Sequence, residues 1–191
     1  VYNRRIPIRT KQLVLTALFA ALTAIGAFLK IQIPVEGIPA ITLQFFFTAM
    51  AGVLLGAKYG AISQAVYVLL GLVGLPIFTM GGGFSYVLQP SFGFLVGLIP
   101  SAWVIGTLCK NAKSFWPMAL GILAGLAVLY LIGTPYMGLI LNLYLGKGMS
   151  VWQIVRAGCL LYLPGDVLKI VVCTALCLAL RSRLPKALAA A

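Results

Sequence analysis

Long apolar segments take up most of this 191-residue chain and restrict it to folds that sit in a lipid bilayer. Hydrophobic residues make up 62% of the sequence and charged residues 8%, too little charge to cover a water-soluble domain. A transmembrane helix needs about 20 apolar residues. Six segments are long enough, alone or with their flanks: residues 13–29, 43–55, 61–78, 92–109, 115–143 and 160–180. We therefore predict an all-α integral membrane protein, a six-transmembrane-helix bundle that forms one membrane domain over residues 1–191.

The basic residues predict how this bundle is oriented. The chain has 14 Lys and Arg against two acidic residues, a net charge of +12. With the N-terminus in the cytoplasm, six spans return the C-terminus there, and most basic positions become cytoplasmic: Arg4, Arg5, Arg9, Lys11, Lys58, Lys110, Lys113, Arg181, Arg183 and Lys186. Only Lys30, Lys147 and Arg156 then lie outside. This excess predicts cytoplasmic N- and C-termini and contact with the lipid bilayer, not nucleic-acid binding.

A charged pair interrupts the last apolar segment. Asp166 is one of two acidic residues in the chain, with Glu36, and Lys169 follows three positions later on the same helix face. Each charge costs about 3 kcal/mol near the centre of a transmembrane helix, so such residues normally face a protein interior or a wet cavity. The pair predicts a binding surface that both accepts and donates hydrogen bonds. A helix cap by Asp166 after Pro164 is the alternative, and the two roles are compatible.

Two further groups of residues are candidates for the same site, each with a structural alternative. Three successive glycines begin at Gly81 and allow the backbone to approach a ligand closely. This loop is either a lid or a plain connector, with these candidates: Gly82, Gly83, Ser85, Tyr86 and Gln89. Polar side chains inside predicted spans need partners, and either line a pocket or bond helix to helix. They are Gln44, Gln64, Tyr67 and Asn142.

The chain lacks the residue sets of most catalytic and metal sites. It has no histidine, and its one carboxylate within a span cannot support two-carboxylate acid–base chemistry. The four cysteines are predicted to pack as small apolar residues: Cys109, Cys159, Cys173 and Cys177. The glycine–lysine motif of nucleotide-binding loops does not occur. We therefore expect no enzyme, no catalytic residue, no metal and no cofactor.

Small residues on the first predicted helix form a surface suited to close helix packing. Alanines recur at four-residue spacing in two overlapping pairs, Ala17 with Ala21 and Ala20 with Ala24. Such pairs usually pack inside a bundle, but on a peripheral helix they also dock other membrane proteins. The sequence does not choose between the two pairs.

Several stretches together resemble the BioY family, the biotin-specific substrate-binding (S) components of energy-coupling factor (ECF) transporters. They are residues 42–44, residues 51–60 at the first inner turn, residues 71–78, the glycine-rich residues 81–94, and Leu-Pro-Gly-Asp-Val-Leu-Lys at residues 163–169. The resemblance covers nearly the whole chain. The last motif and the glycine-rich loop together are its most specific part.

This resemblance implies a six-helix protein of a prokaryotic plasma membrane that binds biotin from outside. It implies three partner proteins: a transmembrane coupling subunit, faced by one of the alanine pairs, and two cytoplasmic ATPases. Asp166 and Lys169 would contact biotin, and the other candidates would complete an outer-half cavity: Gln44, Tyr67, Gly82, Gly83, Ser85, Tyr86, Gln89 and Asn142. No arginine occurs between Arg9 and Arg156 to bind the carboxylate of biotin, so lysine, backbone or loop side chains would have to do so.

A second hypothesis comes from another functional class. A small ion-coupled carrier or channel would use Asp166 as a proton or cation relay. The lack of an internal repeat and of further ionisable residues to extend a relay disfavours it.

Overall fold

The computed structural model describes residues 8–31 and 38–183. Glu36 lies outside the described residues. The same holds for three of the basic residues that predict the orientation, Arg4, Arg5 and Lys186. The chain that is described is mostly helical.

The described chain contains six α-helices and one short β-hairpin. The helices are α1 (Ile8–Phe28), α2 (Gln44–Leu72), α3 (Phe92–Leu108), α4 (Phe115–Leu139), α5 (Val151–Val155) and α6 (Leu163–Arg183). Strands β1 (Lys30–Ile31) and β2 (Ile41–Thr42) pair antiparallel, with Lys30 opposite Thr42. A 3₁₀ turn at Phe84–Leu88 precedes α3, and π-helical turns occupy Ile140–Tyr144 and Arg156–Leu160.

Helix α2 is a tight helical hairpin, not a straight rod. Gly56 has φ 79° and ψ 177°, a backbone conformation that glycine adopts readily and that reverses the chain. Hydrogen bonds pair residues on either side of it: Gln44 Nε2 donates to the Tyr67 hydroxyl at 2.8 Å, and Thr48 Oγ1 donates to Gln64 Oε1 at 2.9 Å. The second and third predicted segments are therefore the two antiparallel arms of α2.

The second arm of α2 ends earlier than the apolar segment 61–78 predicts. The helix stops at Leu72. Gly74 follows with φ 119°, a left-handed conformation typical of helix ends, and Pro76 cannot continue a helix. Phe78 instead forms an isolated antiparallel bridge with Gly81, so the apolar residues after Leu72 belong to a compact turn.

Small residues let the helices pack closely. Helix α2 packs on α1 and α3, α3 packs on α4, and α6 packs on α2 and α4. At Gly106 of α3, an added Cβ would lie 2.2 Å from the backbone nitrogen of Ala57. Only glycine therefore allows α3 to lie against the reversal of α2. Large apolar side chains also face outward, such as Trp116 and Leu131, each 73% exposed, as expected of a surface covered by lipid.

Four helical stretches of the described chain are long and apolar enough to cross a membrane. They are Thr10–Phe28, Gln44–Leu72, Phe115–Tyr144 and Val151–Ser182, and the shorter Phe92–Leu108 is also apolar. The prediction of a helical, multi-pass membrane protein is confirmed at this level.

Arg181, near the end of α6, holds one end of the bundle together. Its guanidinium donates to the carbonyl oxygens of Cys109 at 2.9 Å, Ala112 at 3.1 Å and Val53 at 2.5 Å. The connections at this end are basic: Lys58 follows the reversal of α2, and Lys110 and Lys113 lie between α3 and α4. Asp166 lies about 22 Å away along the helix axis, at the other end of α6.

Candidate ligand-binding site

A cavity opens at the end of the bundle that contains the start of α6. It holds about 630 Å³ of empty space, counting its open mouth. One part of its wall is polar: Thr42, Gln44, Thr79, Tyr86, Ser91, Tyr130, Tyr162, Asp166 and Lys169. The rest is apolar: Pro39, Ala40, Phe45, Phe94, Leu95, Leu98 and Leu129. Such a wall suits a ligand with a polar head and an apolar body.

Asp166 is the most buried charged side chain of this wall, at 5% exposure. Its Oδ1 accepts a hydrogen bond from Lys169 Nζ at 2.6 Å, and its Oδ2 accepts one from the Tyr130 hydroxyl. Helix α6 begins at Leu163, so Asp166 lies in the first turn, where the helix dipole favours a negative charge. The negative charge of Asp166 therefore lies where the helix dipole favours it, and its side chain also lines the cavity.

The ion pair between Asp166 and Lys169 is neutral overall but keeps hydrogen-bonding capacity. An ammonium has three donors, and each carboxylate oxygen has two lone pairs, so neither group is saturated by the other. Both side chains are largely shielded, at 6% and 12% exposure for Asp166 and Lys169. The pair is thus a preformed surface that offers an acceptor beside a donor.

Two tyrosines of the cavity were not singled out from the sequence. Tyr130 of α4 donates to Asp166, and Tyr162, next to the start of α6, donates to the carbonyl oxygen of Pro39 at 2.5 Å. A tyrosine inside an apolar run gives no sign of whether it packs or binds. The one argument available from the sequence is that burying a tyrosine hydroxyl without a hydrogen-bond partner is costly. This argument applies equally to Tyr67, so it does not identify the cavity residues.

Gln44 lines the cavity, and Tyr67 supports it from behind. The Gln44 amide donates to the Tyr67 hydroxyl, and its Oε1 accepts from the Thr42 hydroxyl at 3.0 Å. The Tyr67 hydroxyl in turn donates to the Ile77 carbonyl at 3.1 Å. Tyr67 is fully buried and not part of the lining, so it positions Gln44 and ties the turn after α2 to the bundle.

Tyr86 is the one cavity-lining residue among the glycine-loop candidates. Its hydroxyl lies 2.8 Å from Thr79 Oγ1 and accepts from Ser91 Oγ at 3.1 Å. The glycines form the backbone of the turn: the Gly83 amide donates to the Gly71 carbonyl at 2.7 Å, and a Cβ on Gly82 would meet the Leu75 carbonyl at 2.0 Å. The loop therefore packs on the end of α2 and presents Tyr86 and Thr79 to the cavity.

The remaining sequence candidates lie outside the cavity lining. These residues are Gly82, Gly83, Ser85, Gln89 and Asn142. The Asn142 side chain closes the turn after α4, donating to the Met149 carbonyl at 2.8 Å and accepting from the Met149 amide at 2.7 Å. Gln64 bonds helix to helix, because its Oε1 accepts from the hydroxyls of Thr23 on α1 and Thr48 on α2.

The two alanine pairs of α1 differ in exposure. Ala17 and Ala21 are exposed on the outer face of the helix. Ala20 is buried in the core at 5% exposure, and Ala24 is half-buried. The outer face also carries the exposed apolar side chains of Val14 and Leu18. The Ala17/Ala21 pair is therefore the one available to another protein.

The cysteines pack as predicted. Cys109, Cys173 and Cys177 are buried free thiols, and Cys159 is partly buried. Cys173 and Cys177, one helical turn apart, have sulfur atoms 3.9 Å from each other. Among the residues that the structure describes, no three His, Cys, Asp or Glu side chains form a group that could hold a metal ion.

Comparison with known proteins gives a consistent result. The sequence profile of the BioY family matches residues 3–186. A "Probable biotin transporter BioY" of Lysinibacillus sphaericus is 46% identical over 143 residues, which are 74% of this chain and 71% of the relative. The "Biotin transporter BioY" of Thermotoga maritima is 36% identical over 173 residues, 90% of this chain and 96% of the relative.

A solved structure supports the same relationship. The crystal structure at 2.1 Å of the S-component for biotin from an ECF-type ABC transporter matches with a TM-score of 0.79 and 27% identity, over 95% of each chain. The resemblance inferred from the motifs at residues 81–94 and 163–169 is thereby confirmed. By sequence profile, by relatives and by fold, the chain belongs to the BioY family.

Proposed function

We propose that the chain is the biotin-binding S component of an ECF-type transporter in a prokaryotic cell membrane, and not an enzyme. It captures biotin from outside and delivers it together with an energising module. One observation carries the proposal: a cavity within a membrane bundle is lined by Asp166, which accepts hydrogen bonds from Lys169 and Tyr130. The names of the relatives and of the solved S-component support the choice of ligand.

The chemistry of biotin matches the two kinds of cavity wall. Its ureido ring has two N–H donors and one carbonyl acceptor, and its thioether ring and aliphatic chain are apolar. The Asp166 carboxylate accepts from the ureido N–H groups, while Lys169, whose ammonium keeps further N–H donors, donates to the ureido carbonyl. The apolar residues Phe94, Leu95 and Leu129 pack against the rest of the ligand.

The proposed architecture is a single membrane domain of six transmembrane helices with both termini in the cytoplasm. The six spans are α1, the two arms of α2, α3, α4, and one last span. In this last span α5, the turn after it and α6 are taken together. The orientation is supported by charge: Lys58, Lys110 and Lys113 lie at the Arg181 end, and cytoplasmic ends are enriched in basic residues. The cavity, at the other end, then faces outside.

The proposed partners are a transmembrane coupling subunit and two cytoplasmic ATPases. The sequence lacks the glycine–lysine motif that binds ATP phosphates, so in this proposal the partners supply ATP hydrolysis. The coupling subunit docks on the Ala17/Ala21 face of α1, since exposed small residues allow a second helix to approach closely.

Calorimetric titration of the purified protein tests the proposed function. Biotin should bind at one molecule per chain, and an analogue with the ureido ring opened to the diamine should bind far more weakly. The diamine cannot present the paired N–H groups and carbonyl that Asp166 and its donors recognise. Folded protein that gives no saturable binding of biotin would refute the proposal.

Replacing Tyr130 with phenylalanine should weaken biotin binding about tenfold. The change removes a hydroxyl that holds one oxygen of Asp166, and a hydrogen bond to a charged group contributes about 1.5–3 kcal/mol. Tyr136→Phe is the matched control, because its hydroxyl donates to the Val87 carbonyl and lies outside the cavity lining. Titration of both variants checks this, and equal affinities for the two would contradict a role of Tyr130 in the site.

A further inference from the structure

Among the described residues that line the cavity, no positive charge is left to pair with an anionic ligand. Its one lysine, Lys169, is in an ion pair with Asp166 at 2.6 Å, so the two charges cancel. A ligand whose ring occupies this pair and whose tail ends in a carboxylate brings a negative charge that the cavity wall does not balance. Such a carboxylate is costly to take out of water unless a cation meets it.

Lys30 is held at the mouth of the cavity by two of its wall residues. It is the first residue of β1 and lies directly opposite Thr42 of β2 in the hairpin. Its Nζ donates a hydrogen bond to the backbone carbonyl of Thr79. Thr42 and Thr79 both line the cavity, and they come from different segments of the chain. Because Lys30 is exposed while Thr42 and Thr79 line the cavity, its ammonium lies next to the cavity wall on the solvent side.

The partner of Lys30 leaves its charge available. A carbonyl oxygen orients an ammonium without neutralising it, whereas the Asp166 carboxylate neutralises Lys169. Lys30 is also exposed, so its other N–H donors are open to solvent beside the cavity wall. Its long, flexible side chain can exchange the Thr79 carbonyl for a ligand carboxylate without moving the hairpin.

We propose that Lys30 is the cationic contact for the carboxylate of the ligand and sets the preference for the free acid over neutral derivatives. This inference rests on the proposed function, because it assumes that the ring end of biotin lies at Asp166. Asp166 and Lys169 in α6 then bind the ureido ring, and Lys30 in the β-hairpin binds the carboxylate at the other end of the molecule.

The test compares biotin with biotinamide, which has the same ring and chain but a neutral end. Wild-type protein should bind biotin about tenfold more tightly than biotinamide. Lys30→Gln should bind biotin about tenfold more weakly and biotinamide unchanged, so that the preference disappears. Arg156→Gln is the matched control: it removes an exposed cation from the turn before α6, outside the cavity lining, and should keep the preference.

Each other result has a defined meaning. If Lys30→Gln keeps the wild-type preference, or if wild-type protein has none, Lys30 is not the contact. Equal weakening of both ligands would also overturn the proposal, since it would show a structural role of the Lys30–Thr79 bond. Loss of preference in Arg156→Gln alone would assign the contact to Arg156. Failure of the wild type to bind either ligand would instead refute the proposed function, and this role with it.

Discussion

Replacing Asp166 with asparagine should weaken biotin binding by about a hundredfold or more. The substitution keeps the shape of the side chain but turns one acceptor oxygen into an NH₂ donor that faces Lys169 or Tyr130, both donors themselves. It also leaves the shielded Lys169 ammonium without its counter-charge. Truncating one partner of a buried charge pair at a binding site costs about 2–5 kcal/mol, and 1.4 kcal/mol is a factor of ten in affinity. Calorimetric titration measures the change.

Asn142→Ala serves as the control for the Asp166 variant. Asn142 is another polar residue of the predicted spans, but its side chain closes the turn at Met149 and lies outside the cavity lining. It should bind biotin within about twofold of wild type, as expected for a site away from the ligand. Thermal unfolding in detergent shows that both variants are folded. An Asp166→Asn protein that binds biotin like the wild type would contradict the assignment of Asp166.

Replacing Ala17 with tryptophan should abolish biotin uptake while leaving biotin binding intact. Ala17 and Ala21 are exposed on α1, and a bulky ring there would prevent the close helix approach that small residues allow. The cavity is formed by other elements and should be unaffected. The measurement has two parts: co-purification with the coupling subunit and ATPases after joint expression, which should be lost, and titration of the isolated variant with biotin, which should be normal.

Leu131→Trp on α4 controls for a general effect of adding a ring to the lipid-facing surface. Leu131 is 73% exposed and apolar, so tryptophan fits there without clashing with the bundle. It should keep both uptake and co-purification. A docking surface elsewhere is indicated if Ala17→Trp assembles and transports like the wild type.

The helices could be predicted from the sequence because apolar length is a strong signal in lipid. The inner turn between the segments 43–55 and 61–78 was also predictable, but not that it would reduce to one residue: Gly56 reverses the chain without a loop because the two arms pack together, as Gln44 and Tyr67 do. Likewise, the early end of α2 depends on Gly74 adopting φ 119°, which its neighbours decide. Local sequence predicts the membrane-spanning helices, whereas tertiary contacts determine the residue at which each helix ends or reverses.

The candidate site was predictable only in part. Asp166 and Lys169 stood out because charge inside an apolar segment is costly, and the structure brings them together with Gln44 and Tyr86. Tyr130 carried no such signal: its role depends on the packing of α4 against α6, which spacing along one helix does not reveal. The two alanine pairs of α1 also looked alike until the packing of α1 on α2 buried Ala20.

A crystal structure of the protein with bound biotin tests the central claim most directly. The account predicts the ureido ring in the cavity, with its N–H groups within hydrogen-bond distance, about 3 Å, of the Asp166 carboxylate and its carbonyl facing Lys169. The carboxylate end would lie toward the mouth, near Lys30. Biotin bound in the reverse direction, with its carboxylate at Lys169, or bound outside this cavity, would contradict the account.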